Sequence, residues 1–189
     1  MRRRMILSMD KITIDQNDQI VRTGIILAMA SVIMLFGTLL SSFFVLKIRL
    51  VEKLVLPGNT FSIGLTNSVI LVCTSISYMF AEKMYEKRKY SAYEIWLLIT
   101  IISGYGFILG QLLLWSELTT AGIPLTRGQL SDMFYVISGV HGLHILCGQG
   151  LLLWVQLSKN NNGRRIHNVG LFWHFLTILW IIMFTTVLV

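Results

Sequence analysis

The run "FYVISGVHGLHILCG", residues 134–148, sets two imidazoles three residues apart in an otherwise apolar stretch: His141 and His144. On a helix, positions i and i+3 share a face, so the pair could ligate a metal, pass a proton or hydrogen-bond to a neighbouring helix. As metal ligands they would need one or two partners, such as His174, together with open coordination and supporting outer hydrogen bonds. A haem iron could in principle use two histidines from facing helices. No Cys, Asp or Glu in the apolar stretches completes a set. Neutral histidines that hydrogen-bond across helices or to a lipid head group are therefore the preferred reading, and the chain is expected to hold no metal or haem of its own.

The elements that must position these groups are spans. Of the 189 residues 54% are apolar and 13% charged, and the mean hydropathy is +0.70, whereas a soluble domain is about 25% charged. Crossing the hydrocarbon takes about 20 mostly apolar residues, and the backbone must pair within each segment, so each span is a helix. Five stretches qualify: Thr23 to Leu46, Gly64 to Ala81, Ile95 to Trp115, Met133 to Leu157 and Val169 to Leu188. The links carry turn residues, namely Leu56-Pro57-Gly58-Asn59, Gly122-Ile123-Pro124 and Asn160-Asn161-Asn162-Gly163. Short links predict that consecutive helices are neighbours, in one all-α bundle over 23–189 preceded by a segment, 1–22.

Basic residues orient the bundle. Arg2, Arg3, Arg4, Lys11, Arg22, Lys83, Lys87, Arg88, Lys89, Lys159, Arg164 and Arg165 fall on one side, twelve against four (Lys47, Arg49, Lys53 and Arg127) on the other. The positive-inside rule then predicts a cytoplasmic N terminus, with 1–22 a retained cytoplasmic segment, and an external C terminus. Most of the formal charge of +7 is thereby explained by topology, which argues against a nucleic-acid partner. Cys73 and Cys147, inside apolar runs, read as small packing residues.

Intramembrane ionisable groups are functional candidates by default, and the five spans contain no Asp, Glu, Lys or Arg. His141, His144 and His174 are the ionisable residues that remain. Gly104, Gly106 and Gly110 in the third span and Gly139, Gly142, Gly148 and Gly150 in the fourth allow close backbone approach, and Gly106 to Gly110 has GxxxG spacing. Asn67, Ser68, Thr74 and Ser75 supply polar groups in the second. Helix packing is the preferred reading over a substrate path, because transport sites usually use a charge or a broken helix near the midplane. Trp96, Trp115, Trp154 and Trp173 lie near span ends, where an interfacial belt is the default. His174 and Trp180 sit deeper, and composition alone gives them no role.

Taken together, these residues form a pattern. "FYVISGVHGLHILCGQGLLLW" is similar, through Phe134, Tyr135, Gly139, His141, Gly142, His144 and Gly148, to a signature of subunit III of the haem-copper terminal oxidases. "FWHFLTILWIIMF" resembles a second signature through Phe172, Trp173, His174, Phe175 and Trp180. Weaker likenesses run through Asn67, Ser68, Thr74 and Ser75, and through Gly104, Phe107 and Gln111. The chain thus resembles the short five-helix form of that family, over about residues 23 to 189.

The resemblance implies a non-catalytic accessory subunit of a proton-pumping cytochrome c oxidase in a bacterial cytoplasmic membrane. Oxidase subunits I and II would be its partners, with haem and copper held there and not in this chain. A respiratory supercomplex is a further candidate partner. Phospholipid would be bound, and the subunit would support proton uptake and sustained turnover. His141, His144, His174, Trp173, Gln111 and Asn67 become its lipid-contacting or interior polar candidates. Three acids common in the family are replaced, by Val32, Leu114 and Thr177. A quinol oxidase or a nitric-oxide-reductase-associated relative keeps the fold and changes the partner. A free-standing transporter or two-histidine haem protein is the reading from a different class.

Overall fold

The computed structural model describes residues 2–49, 58–123, 128–158 and 162–188. All five elements are helices: α1 (Arg2–Arg49), α2 (Gly58–Glu86), α3 (Tyr90–Thr120), α4 (Gln129–Leu157) and α5 (Gly163–Leu188). Each contains a stretch long and apolar enough to cross a membrane, so the fold is the expected five-span bundle. Of the turn residues, Leu56, Pro57, Pro124, Asn160 and Asn161 lie outside the described residues.

The helices outrun the expected spans. α2 starts at Gly58 rather than Gly64, and α1 continues back to Arg2 through the segment set apart as 1–22. Hydropathy locates the part of a helix that lipid accepts, which for α1 is Arg22–Arg49. A nucleated helix then propagates beyond that part at one hydrogen bond per residue added.

Packing follows a stripe on each helix. Buried positions recur three, four or seven residues apart: Val32, Phe36 and Phe43 on α1; Leu71, Thr74, Tyr78 and Ala81 on α2; Leu97, Ile101, Gly104, Phe107, Gln111 and Leu114 on α3. α4 continues the pattern with Phe134, Ile137, His141, Ile145 and Leu152, and α5 with Ile166, Val169, Trp173, Leu176 and Trp180. This is the repeat of helices crossing at a shallow angle with interlocking side chains. Residues such as Ile102, Leu109 and Leu143, on the opposite faces, are exposed and suited to lipid.

α2 to α5 close a ring in chain order, α2 on α3, α3 on α4, α4 on α5 and α5 back on α2, while α1 packs against α4 and α5. Among the described residues α1 and α2 do not pack on each other, so the expectation that consecutive helices are neighbours fails for that pair. The intervening residues 50–57 could extend about 26–29 Å, so a short link does not compel contact. The seam on α1 decides its place: Phe36 meets the His141 and His144 rings edge-on at 6.1 and 5.6 Å.

Two helix ends share one device. At the end of α3, Ile123 N–H donates to Leu118 O and Gly122 N–H to Thr119 O, with Gly122 at φ 75°. At the end of α2, Lys89 N–H donates to Met84 O and Arg88 N–H to Tyr85 O, with Arg88 at φ 57°. Both are Schellman closures, which favour glycine at the left-handed position. Arg88 holds that conformation against a penalty of about 1–2 kcal/mol. Arg88→Gly is therefore expected to raise the thermal unfolding midpoint by the equivalent of up to about 1 kcal/mol, after the entropy cost of glycine. Arg88→Ala should not raise it, and an equal gain from both would count against strain at this residue.

Candidate functional site

The polar groups within the spans form an organised interior. Three tryptophans donate indole N–H to hydroxyls: Trp173 Nε1 to Thr74 Oγ1 at 3.2 Å, Trp180 Nε1 to Ser68 Oγ at 3.0 Å and Trp115 Nε1 to Ser138 Oγ at 3.1 Å. Each hydroxyl directs its own proton to a carbonyl of its helix, Thr74 to Leu71, Ser68 to Gly64 and Ser138 to Phe134, at 2.7–2.8 Å. The back-bond leaves an oxygen lone pair facing outward, which suits an indole that can only donate. Such links contribute about 0.6 kcal/mol each between membrane helices. Two of them lock α5 to α2, and the third joins α3 to α4.

Trp173 thus departs from the interfacial belt to which its place near the span end assigned it. It is 1% exposed, and Trp180 3%. Trp154 is exposed and lies under the Arg165 guanidinium, 4.5 Å from the ring centroid. Trp96 stacks on Phe80 at 5.1 Å. Hydropathy cannot separate an inward from an outward indole when lipid and core are both apolar.

The three histidines occupy different environments. His174 shares a hydrogen bond between Nδ1 and the Ser75 hydroxyl and meets Tyr78 edge-on at 6.0 Å. Tyr78 in turn donates to the Ile166 carbonyl at 2.6 Å. Gly170 makes room for it, since a Cβ there would lie 2.5 Å from the Tyr78 ring. His144 Nδ1–H donates to the Val140 carbonyl at 2.7 Å. His141 is fully enclosed among Trp180, Phe36 and Phe107, with ring centroids 5.2, 6.1 and 6.2 Å away. Among the described residues no group of three or more His, Cys, Asp or Glu is arranged to hold a metal ion.

Amides fill the rest of the interior. Asn67 Nδ2 donates to Phe107 O at 3.5 Å, and its amide packs where a Cβ on Gly110 would stand. The Gln149 amide packs against Gly104 in the same way. A Cβ on Gly148 would lie 3.1 Å from the Trp173 ring and 3.2 Å from Leu176. A Cβ on Gly139 would reach the Trp115 ring at 3.6 Å, but one on Gly106 or Gly142 would meet nothing within 4 Å. The GxxxG pair Gly106 and Gly110 therefore has one member at a contact. Val32, Leu114 and Thr177, the three positions of the absent acids, are all buried, and Thr177 Oγ1 bonds back to Trp173 O at 3.1 Å.

One feature had no sequence motif: a cleft of about 580 Å³ at one end of the bundle, where α1, α2 and the start of α5 converge. Gln19, Arg22, Glu82, Glu86, Arg164 and His167 line it. His167 Nδ1–H donates to Glu82 Oε1 at 2.7 Å. Its residues come from span boundaries far apart in sequence, so the clue available was charge at each boundary, without the fold that gathers it.

The fold and the inward-turned polar groups define a multi-pass helical membrane protein. The family model for cytochrome c oxidase subunit III matches residues 12–189, and the chain belongs to that family, as the two signatures suggested. Quinol oxidase subunit 3 of Bacillus subtilis (strain 168) is 31% identical over 166 residues, covering 82% of this chain and 79% of that protein. Cytochrome c oxidase subunit 3 of the same organism is 29% identical over 132 residues, 64% of this chain and 61% of the relative. The Heme-copper oxidase subunit I+III of Aeropyrum pernix is 27% identical over 178 residues, 87% of this chain and 22% of that longer protein. The chain is thus a subunit of an oxidoreductase complex of the haem-copper type.

Proposed function

We propose that this chain is a non-catalytic accessory subunit of a proton-pumping haem-copper terminal oxidase in a bacterial cytoplasmic membrane. It packs against subunit I, in a complex with subunit II, and leaves electron transfer to haem and copper in those partners. The observation that carries the reading is the inward orientation of the interior polar groups: the three indoles bond hydroxyls of neighbouring helices, and the outer faces are apolar. That suits a body which supports a neighbour through its surface. The Aeropyrum pernix relative is named for subunits I and III together, which supports the partner.

Phospholipid holding is part of the proposal. The cleft presents Arg22, Arg164 and His167 beside Glu82 and Glu86, a charge pattern that suits a phosphate head group, with acyl chains along the exposed faces of α1 and α2. Proton uptake is then supported indirectly, since relays through membrane helices usually run on Asp, Glu or His chains. The core carries no carboxylate among the described residues.

Cytochrome c is the electron donor in this reading. A quinol is the second reading, resting on the similarity over 82% of the chain to quinol oxidase subunit 3 of Bacillus subtilis. Purification in mild detergent tests both. Haem a with a copper-binding companion is the expected result; haem b with a quinol-reactive companion replaces the donor, and migration of the chain alone overturns the subunit role. Orientation is tested separately: a reporter fused after Val189 should be active only in its periplasmic form. Activity of a cytoplasmic reporter there would reverse the topology drawn from the basic residues.

A further inference from the structure

His141 of α4 and Gln111 of α3 are 0% and 5% exposed, and among the described residues neither ring nitrogen of His141 and neither amide atom of Gln111 has a hydrogen-bond partner. Unpaired buried polar groups are costly, so groups of this kind are nearly always satisfied. Burial limits what can satisfy them. A neighbouring subunit or a lipid head group cannot reach side chains enclosed by this chain's own residues, so the partner lies inside the bundle.

Register brings the two together. α3 and α4 run antiparallel, with Gly104 against Gln149 and Trp115 bonded to Ser138. From the Gly104–Gln149 level, Gln111 lies seven residues along α3 and His141 eight along α4 in the same direction. At 1.5 Å per residue they sit at depths equal to within about 2 Å. The faces agree as well: Phe107, one turn before Gln111 on the buried stripe, meets the His141 ring at 6.2 Å.

From this geometry we propose a bound structural water that bridges Gln111 and His141 between α3 and α4. A neutral imidazole offers one donor and one acceptor, and a primary amide offers two donors and one acceptor. A direct bond between the two would satisfy one atom of each. A bridging water likewise pairs with one atom of each, but it is the link that fits two side chains which make no direct bond, and its remaining proton or lone pair is free for further polar contacts, as in buried waters with two to four polar partners. The water holds α3 to α4 within the spans, at a level where the surrounding rings of Phe36, Phe107 and Trp180 offer no hydrogen-bonding oxygen. It depends neither on the electron donor nor on the partner subunits.

X-ray radiolytic labelling of the assembled oxidase in ¹⁸O-enriched water tests the site, because hydroxyl radicals arise from bound as well as bulk water. Phe107 and Phe43 are a matched pair, each 1% exposed, but Phe107 alone of the two contacts His141. Phe107 is expected to take up label several-fold faster than Phe43, and in Gln111→Leu the difference should disappear. Equal labelling in the native complex overturns the proposal. A density map of the native complex is independent of whether the variant assembles. A peak within hydrogen-bond reach of both side chains supports the water, whereas a direct bond between the Gln111 amide and the His141 ring, with no such peak, overturns it.

Discussion

Trp173→Ala is expected to unseat α5 from α2 at a cost of about 3–5 kcal/mol, the scale for truncating a buried aromatic. The indole is 1% exposed, donates to Thr74 and fills the space that Gly148 and Gly104 leave open on α4 and α3. In a bilayer the free energy of helix association comes from packing and hydrogen bonds, because lipid is as apolar as the core. Removal of the ring therefore loses contacts that nothing replaces. Trp173→Phe keeps much of the bulk and loses the N–H, while Thr74 retains its back-bond to Leu71. It should cost roughly 1–2 kcal/mol, from the lost bond and the volume difference. Ile102→Ala, on an exposed face, should cost almost nothing unless a partner covers it. Thermal unfolding and recovery of the chain in the purified complex measure all three, and a loss at Ile102 equal to that at Trp173 would contradict the assigned core.

Gly148→Leu should have the second large effect. Its first added carbon already lies 3.1 Å from the Trp173 ring, so the remaining three must displace Trp173 or Leu176. Overpacking of this kind costs about 1–3 kcal/mol, occasionally more. Gly148→Ala asks for a shift of a few tenths of an ångström and recovers up to about 1 kcal/mol of helix propensity, so it should come out near neutral. Gly142→Ala on the same helix has nothing within 4 Å and should be neutral or slightly stabilising within this chain. Chain recovery and unfolding temperature should order the variants as Gly142→Ala, Gly148→Ala, Gly148→Leu. Equal damage from both alanine changes would show that helix packing is not what distinguishes these glycines.

The five spans were legible because lipid imposes a simple condition, about 20 apolar residues without charge, and α3, α4 and α5 meet it plainly. The family was legible because His141, His144 and the Trp173 to Trp180 run have unusual types at fixed spacings. What the sequence concealed was direction around each helix. In a soluble bundle the polar face marks the outside, but here Leu97 and Leu98 are chemically equal while one is buried and the other exposed. The same symmetry placed Trp173 in the belt and grouped Gly106 with Gly110. Link length misplaced α1 for a different reason: proximity along the chain sets an upper bound on distance, and the stripe from Val32 to Phe43 chooses the neighbour.

The seat of α1 bears on biosynthesis. Its partners, α4 and α5, are made well after it: Lys47 Nζ reaches the Thr186 carbonyl at 3.4 Å, across 139 residues of chain. At about 5–20 residues per second, Lys47 is threaded into the bilayer roughly 7–30 s before Thr186 exists. The helix is built to wait. Ser31 and Thr38 satisfy their hydroxyls on Leu27 and Leu35 of the same helix, and its span carries no histidine, amide or carboxylate. Lipid alone can therefore solvate it as a lone insertion intermediate. The groups that need another helix, Asn67, Trp115, Trp173 and Trp180, lie on α2, α3 and α5, which emerge afterwards, so the quality-control machinery would meet a stranded polar group only after α1 is already in place.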